Sequence, residues 1–182
     1  MPFHHTNIEG LIVFEPKLWK DDRGYFYESY NLKTFAEGGI SATFIQDNEA
    51  KSTYGVLRGL HYQVAPYAQA KLVRVLAGEV LDVVVDLRTS SDTYGEWYSI
   101  RLSAENKKQL FVPRGFAHAY VVLSPTAVFA YKVDNYYSKA SEGGLIYDDP
   151  KLGIDWEIDP KDVILSEKDR VLPQFGSHRS MH

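Results

Sequence analysis

The stretch from Lys71 to Arg88, KLVRVLAGEVLDVVVDLR, constrains the fold more than any other part of the chain. Two β-branched runs meet at Ala77-Gly78, which is a hairpin signal. Alternation places Lys71, Val73 and Val75 on one face, with Leu72, Arg74 and Leu76 on the other. The segment YSIRLSAENKKQLFVPRGFAHAYVVLS adds strands broken by the polar AENKKQ turn and the Pro113–Gly115 corner. AVFAYKVDNYY adds another, with Phe129, Tyr131 and Val133 on one face. Short runs of this kind, punctuated by glycine and polar residues, specify an all-β antiparallel barrel or sandwich. Helical signal is thin: NLKTFAEGGI predicts one short helix ending at Gly38-Gly39, and DPKDVILSEKD a turn or two. No repeat, linker or shift in composition marks a second domain, so residues 1–175 read as one unit. Residues 176–182, GSHRSMH, lack the periodicity of a packed element and read as a disordered end or an expression remnant.

Composition narrows the partners. A chain of 182 residues suits one domain, and that length buries roughly 70% of its unfolded surface. The net charge of −4 argues against general affinity for nucleic acid or anionic membrane. Any anion must then be met by a local basic pocket. The absence of cysteine removes disulfides and thiolate metal sites and fits a reducing cytoplasm. MPFHHTNIEG carries no signal-peptide pattern and no apolar run approaches a membrane span, so the expected location is cytoplasmic.

Chemistry concentrates in GVLRGLHYQ, residues 55–63, where an apolar run is interrupted by Arg58 and His61 with glycine between them. The two differ in strand parity, and a bulge or kink at Gly59 would let both aim into the lumen. A single histidine on a strand is more often core or surface than catalytic. Lys71 ends an apolar stripe, where a lysine commonly snorkels to water. Beside Arg58, and Arg23 in DDRGYFYES, it suggests a pocket for a dianion such as a phosphate ester. FIQDN offers Gln46, Asp47 and Asn48 either to hydroxyls and a base edge or to an Asx turn. His118 shares a face with Tyr120 and Val122, and inward tyrosines such as Tyr131 are usually core, yet a neutral tyrosine is a competent proton donor.

A metal-dependent cupin motif would place a second histidine two residues after His61, where this chain has Gln63. His61 and His118 alone leave a transition metal under-coordinated, so no metal is expected. Phosphate loops and dinucleotide fingerprints are also missing. The expectation is a reaction run on side chains, with no cofactor.

Nine stretches occur in order: DDRGYFYES, FIQDN, GVLRGLHYQ, QAKLVRVLAGEVLDVVVDLR, TYGEW, FVPRGFAHAY, YKVDNYY, DDPKLGIDW and LSEKD. From about Gly10 to Asp169 they resemble the dTDP-4-dehydrorhamnose 3,5-epimerases, metal-free cupins of jelly-roll fold. The resemblance implies an isomerase that inverts carbons 3 and 5 of dTDP-4-dehydro-6-deoxy-D-glucose for dTDP-L-rhamnose synthesis. It assigns the general base to His61, its orienting carboxylate to Asp169, the acid to Tyr131 and enolate stabilisation to Lys71. Arg23, Glu28, Gln46, Asn48, Arg58, His118, Glu142 and Lys168 match substrate-contacting positions, Asp47 lies among them, and Tyr137 matches the aromatic that stacks on thymine. The resemblance also implies a homodimer with exchanged N-terminal segments, so that Arg23 and Glu28 serve the partner's site. Ala119 stands where the family usually has glycine, which would narrow the pocket slightly; Ala70 and the HYQ triplet are the other departures. The alternatives are a single-carbon epimerase of a deoxysugar pathway and a sugar-nucleotide-binding cupin without catalysis.

Overall fold

The computed structural model describes residues 2–181, and in it the two Val-rich runs flanking Gly78 lie in different sheets. Numbered in chain order, the first part of the chain gives β1 (Phe3–His5), β2 (Ile12–Phe14), β3 (Trp19–Asp21), β4 (Gly24–Phe26) and helix α1 (Leu32–Glu37). The barrel strands begin with β5 (Gln46–Thr53), β6 (Leu57–Gln63), β7 (Lys71–Ala77) and β8 (Glu79–Asp86). They continue with β9 (Trp97–Ser103), β10 (Gln109–Val112), β11 (Phe116–Val122) and β12 (Thr126–Val133). A short β13 (Glu142–Gly144), two 3-10 turns and helix α2 (Glu167–Arg170) follow. One sheet runs β1-β2-β10-β7-β12-β5 and the other β13-β6-β11-β8-β9, with β3 and β4 as a separate ribbon.

This is the all-β cupin-type architecture expected, with one correction. Ala77-Gly78 is a crossing between sheets, not a hairpin. β7 pairs with β10 and β12, whereas β8 pairs with β9 and β11. Gly78 takes the reversal at φ +74°, and a side chain there would collide with the Thr126 carbonyl. The glycine therefore marks a tight corner, and each strand finds its partners elsewhere in the chain.

Burial explains why both faces of these strands are apolar. Val73, Val75, Val80, Val84, Leu110 and Phe129 fill one end of the space between the sheets. Outside the five-stranded sheet, Leu81, Val83 and Val85 are covered by Leu145, Leu152, Trp156 and the C-terminal segment. Outside the six-stranded sheet, Leu72 and Phe111 lie beneath Phe14, Phe35 and Ile40. Each such side chain contributes about 1.5–3 kcal/mol by leaving water. Helix α1 forms where NLKTFAEGGI predicts it: Asn31 Oδ1 caps the amides of Lys33 and Thr34, and the chain leaves at Gly38.

Residues 176–181 lie against the barrel. The Tyr62 hydroxyl donates to the Arg179 carbonyl, and Arg179 Nη1 donates to the carbonyls of Ala140 and Glu142. Met181 packs against the outer apolar cluster, and the His178 ring stacks on Phe175 at 5.3 Å. The Arg179 contacts are with distant parts of the chain, so local periodicity carries no trace of them.

Candidate active site

Between the sheets lies a cavity of about 420 Å³. Its wall brings together Arg58, His61, Lys71, His118, Tyr131, Lys168 and Asp169, which the sequence scatters over more than a hundred residues. His61 and Arg58 come from β6, and the parity problem is solved by a bulge against β11. His61 faces His118 and Arg58 faces Tyr120, so three steps on one strand match two on the other. Gly59 sits at the bulge with φ +129°. A Cβ there would lie 2.5 Å from the Ala119 Cβ and 2.6 Å from the His118 carbonyl, so only glycine fits.

That same contact relocates Ala119. It is buried in the outer cluster with Leu60 and Leu81, on the face away from the cavity, so it does not narrow the pocket.

Behind His61, the Ser166 hydroxyl caps α2 by accepting from the Asp169 amide. The cap holds Asp169, 4% exposed, with its Oδ1 at 2.6 Å from His61 Nε2. Burial pushes the Asp169 carboxyl up, but the hydrogen bond and charge of His61, helped by Ser166 and the Gly59 amide, bring it below the usual carboxylate range. A carboxylate on Nε2 keeps the proton there and leaves Nδ1 as the basic nitrogen.

The facing wall comes from the other sheet. Tyr131 lies on β12, and burial pushes its phenol up, with Tyr120 adding to the shift and Arg58 opposing it. It is a neutral O–H. Lys71, first residue of β7, is half-buried in the cavity wall, and burial lowers its ammonium to about 8 while Asp82 pulls it back up. On the His61 side, His118 of β11 is held low by burial and is paired through Nε2 with Asp82 Oδ2 at 2.9 Å.

Sequence reasoning missed Asp82. It is fully buried in β8, where its neighbours Val80 and Val84 also face the lumen. The signal was a lone carboxylate inside a valine run, which a buried strand carries only when it is paired. Gln63 was singled out only as a departure from a metal motif. It is a bracket: Nε2 donates to the carbonyls of Tyr67 (2.7 Å) and Tyr136 (3.1 Å), and Oε1 accepts from the Ser138 amide (2.6 Å). His61 and His118 each give a nitrogen to a separate carboxylate, and no three His, Asp or Glu side chains converge as metal ligands among the described residues.

The remaining candidates lie outside the cavity wall. Asn48 and Gln46 are cross-strand partners of Tyr131 and Val133 and share their face, with Gln46 Nε2 donating to Asn48 Oδ1 at 2.8 Å. Asp47 points the other way and pairs with Lys132 at 2.8 Å, which removes it from the lumen. Glu142 pairs with Lys168 at 2.7 Å, beside the cavity. Tyr137 is 60% exposed on the loop that Gln63 holds. Arg23 is bound to Asp21 in the β3–β4 ribbon, and Glu28 accepts from Asn31 and Thr34. Within one chain neither reaches the cavity.

Such a cavity can take a proton from one side of a ligand and return it from the other. The comparisons agree with that chemistry. Residues 5–177 match the family model described as dTDP-4-dehydrorhamnose 3,5-epimerase. The enzyme of that name from Shigella flexneri is 53% identical over 165 residues, covering 90% of each chain. The crystal structure of that enzyme from Elizabethkingia anophelis superposes with a TM-score of 0.93 at 55% identity, covering 96% of each chain. A Legionella pneumophila dTDP-6-deoxy-D-glucose-3,5-epimerase, solved with dTDP-4-keto-L-rhamnose, gives 0.91 at 48% identity over 96% of this chain and 93% of its own.

Proposed function

Because the chain belongs to the dTDP-4-dehydrorhamnose 3,5-epimerase family, we propose that it inverts carbons 3 and 5 of dTDP-4-dehydro-6-deoxy-D-glucose to give dTDP-4-dehydro-L-rhamnose. One observation carries this reading. The His61–Asp169 pair and the Tyr131 phenol stand in facing sheets across one cavity.

The substrate's ketone acidifies the C–H bonds on both neighbouring carbons, so an imidazole can remove a proton once the enolate is stabilised. His61 does the removal, and Asp169 fixes its tautomer and stabilises the imidazolium. Lys71 places positive charge where the oxyanion forms, a contribution of about 3 kcal/mol by analogy with an oxyanion-hole donor. Tyr131 returns a proton to the opposite face, and inversion requires that second group. Arg58 holds the diphosphate and so positions the sugar. The chemistry calls on no metal or cofactor.

Other substrate contacts follow from the family. His118, Gln46, Asn48, Glu142 and Lys168 contact the nucleotide sugar, and Tyr137 stacks on the thymine. The enzyme acts as a cytoplasmic homodimer, in which exchanged N-terminal segments deliver the partner subunit's Arg23 and the partner subunit's Glu28. The exposed aromatics Trp19, Tyr25 and Phe26 on the β3–β4 ribbon support that exchange, since they lack a cover within one chain.

In deuterium oxide, wild-type protein should place deuterium at both carbons, and His61→Asn should place none. NMR of the sugar ring counts the labelled carbons. Label at one carbon makes the chain a single-carbon epimerase, and undiminished labelling by the variant removes His61 as base.

A further inference from the structure

Gln63 closes β6 two residues after His61, on the same face of the strand, and is 6% exposed. A buried amide needs partners at both of its ends, and this one has them. Nε2 donates to the carbonyls of Tyr67 at 2.7 Å and Tyr136 at 3.1 Å, and Oε1 accepts from the Ser138 amide at 2.6 Å.

The last two bonds straddle Tyr137. The Tyr136 carbonyl belongs to the peptide plane before the Tyr137 Cα, and the Ser138 amide to the plane after it. Peptide units are planar, so one side chain that holds both planes fixes φ and ψ of the residue between them. It thereby fixes the direction in which the Tyr137 side chain leaves the loop. That ring is 60% exposed, so packing does little to hold it and the backbone decides where it stands. The loop itself is tied elsewhere. Asn135 Nδ2 donates to the carbonyls of Pro66 (3.0 Å) and Ala68 (3.3 Å), and Gln69 Nε2 donates to the Asn135 carbonyl (2.7 Å). Those bonds fasten the loop at Asn135, which leaves Gln63 to orient the residue two places on.

We propose that Gln63 is a positioning residue for the nucleobase, presetting the Tyr137 ring for stacking on the thymine. This rests on the assignment of Tyr137 to the thymine in the proposed function. A ring already in place has no ordering cost on binding, so loss of Gln63 weakens affinity and spares the chemistry.

Gln63→Met tests it, with dTDP and inorganic pyrophosphate as calorimetric probes and the keto-sugar as substrate. The dTDP Kd and the KM should each rise about tenfold, within the range that base–aromatic stacking supplies. The pyrophosphate Kd, and deuterium incorporation at saturating substrate, should stay within about twofold. In a Tyr137→Ala background the same change should add less than about twofold to the dTDP Kd, because the ring it positions is gone. Gln63→Glu keeps an acceptor for Ser138 but breaks the donation to Tyr136; it should show the same selective loss and decides the matter if the first variant does not fold. Unchanged dTDP affinity overturns the proposal. So does an equal loss of pyrophosphate affinity, or a tenfold effect that persists without Tyr137, either of which makes Gln63 a structural bond. Failure of the parent reading looks different: Tyr137→Ala would itself bind dTDP as tightly as wild type.

Discussion

In the proposed reaction Lys71 joins charge to rate in a way that pH can expose. Burial lowers its ammonium to about 8, with Asp82 opposing that shift. Below that value the ammonium is present, at pH 7 by roughly ten to one, and above it the charge is lost. Enolate stabilisation should therefore fade as pH rises, giving kcat/KM an alkaline limb with its midpoint near 8. Lys71→Arg keeps its charge throughout and should remove that limb while lowering the rate, because the planar fork cannot sit where a point charge sat. Lys71→Met should cost about 10²–10³-fold in kcat at every pH. A limb near 8 that persists in Lys71→Arg would assign it to another group. At this scale the sequence was informative wherever side chains alternate. Parity alone put Lys71 on the face of Val73 and Val75, and Tyr131 on that of Phe129. Asp169 became visible only through the family resemblance, because it meets His61 across 108 residues of chain. Asp47 lies between two amides in sequence, yet it alternates to the far face, where it pairs with Lys132.

Among elements, β6 carries the most consequence for function. Its bulge is the device that lets Arg58 and His61 share a lumen, and the bulge exists because Gly59 leaves room for Ala119 and the His118 carbonyl. Gly59→Ala adds one methyl at φ +129° against both groups. Overpacking of this kind costs about 1–3 kcal/mol, and in a chain of this size that lowers Tm by roughly 2–4 °C per kcal/mol. Deuterium incorporation should fall far more than stability does, since a relaxed strand sends one of the two side chains out of the cavity. Thermal unfolding and exchange measured on one preparation separate the two effects; a variant that loses stability but exchanges normally would dissociate the bulge from catalysis. The strand pattern also shows where local signals stop. Glycine between two valine runs announces a reversal at Gly78, as it announces the end of α1 at Gly38. A helix end is settled by its own backbone. The partner of a strand is settled by distant strands, and here β10, β11 and β12 divide β7 from β8.

At the scale of the whole molecule, one chain provides a cavity but leaves Arg23 and Glu28 outside it, on a segment whose Trp19, Tyr25 and Phe26 face solvent. The exchanged dimer proposed above would account for both facts, and mixed subunits can test it. His61→Asn destroys the base in its own barrel but still carries a sound N-terminal segment. Arg23→Glu keeps its base but sends a damaged segment to its partner. Each homodimer should be poorly active at low substrate, the first for want of a base and the second for want of affinity. When the two are mixed and allowed to re-pair, half of the dimers are mixed. Each mixed dimer holds one site with both an intact base and an intact arginine, and another lacking both. Random pairing should therefore restore about a quarter of wild-type activity. Self-contained sites cannot produce that recovery, because mixing would then return only the mean of the two parents. Activity at that mean, with mixed dimers verified by native mass spectrometry, would place Arg23 in the site of its own chain and end the exchange model.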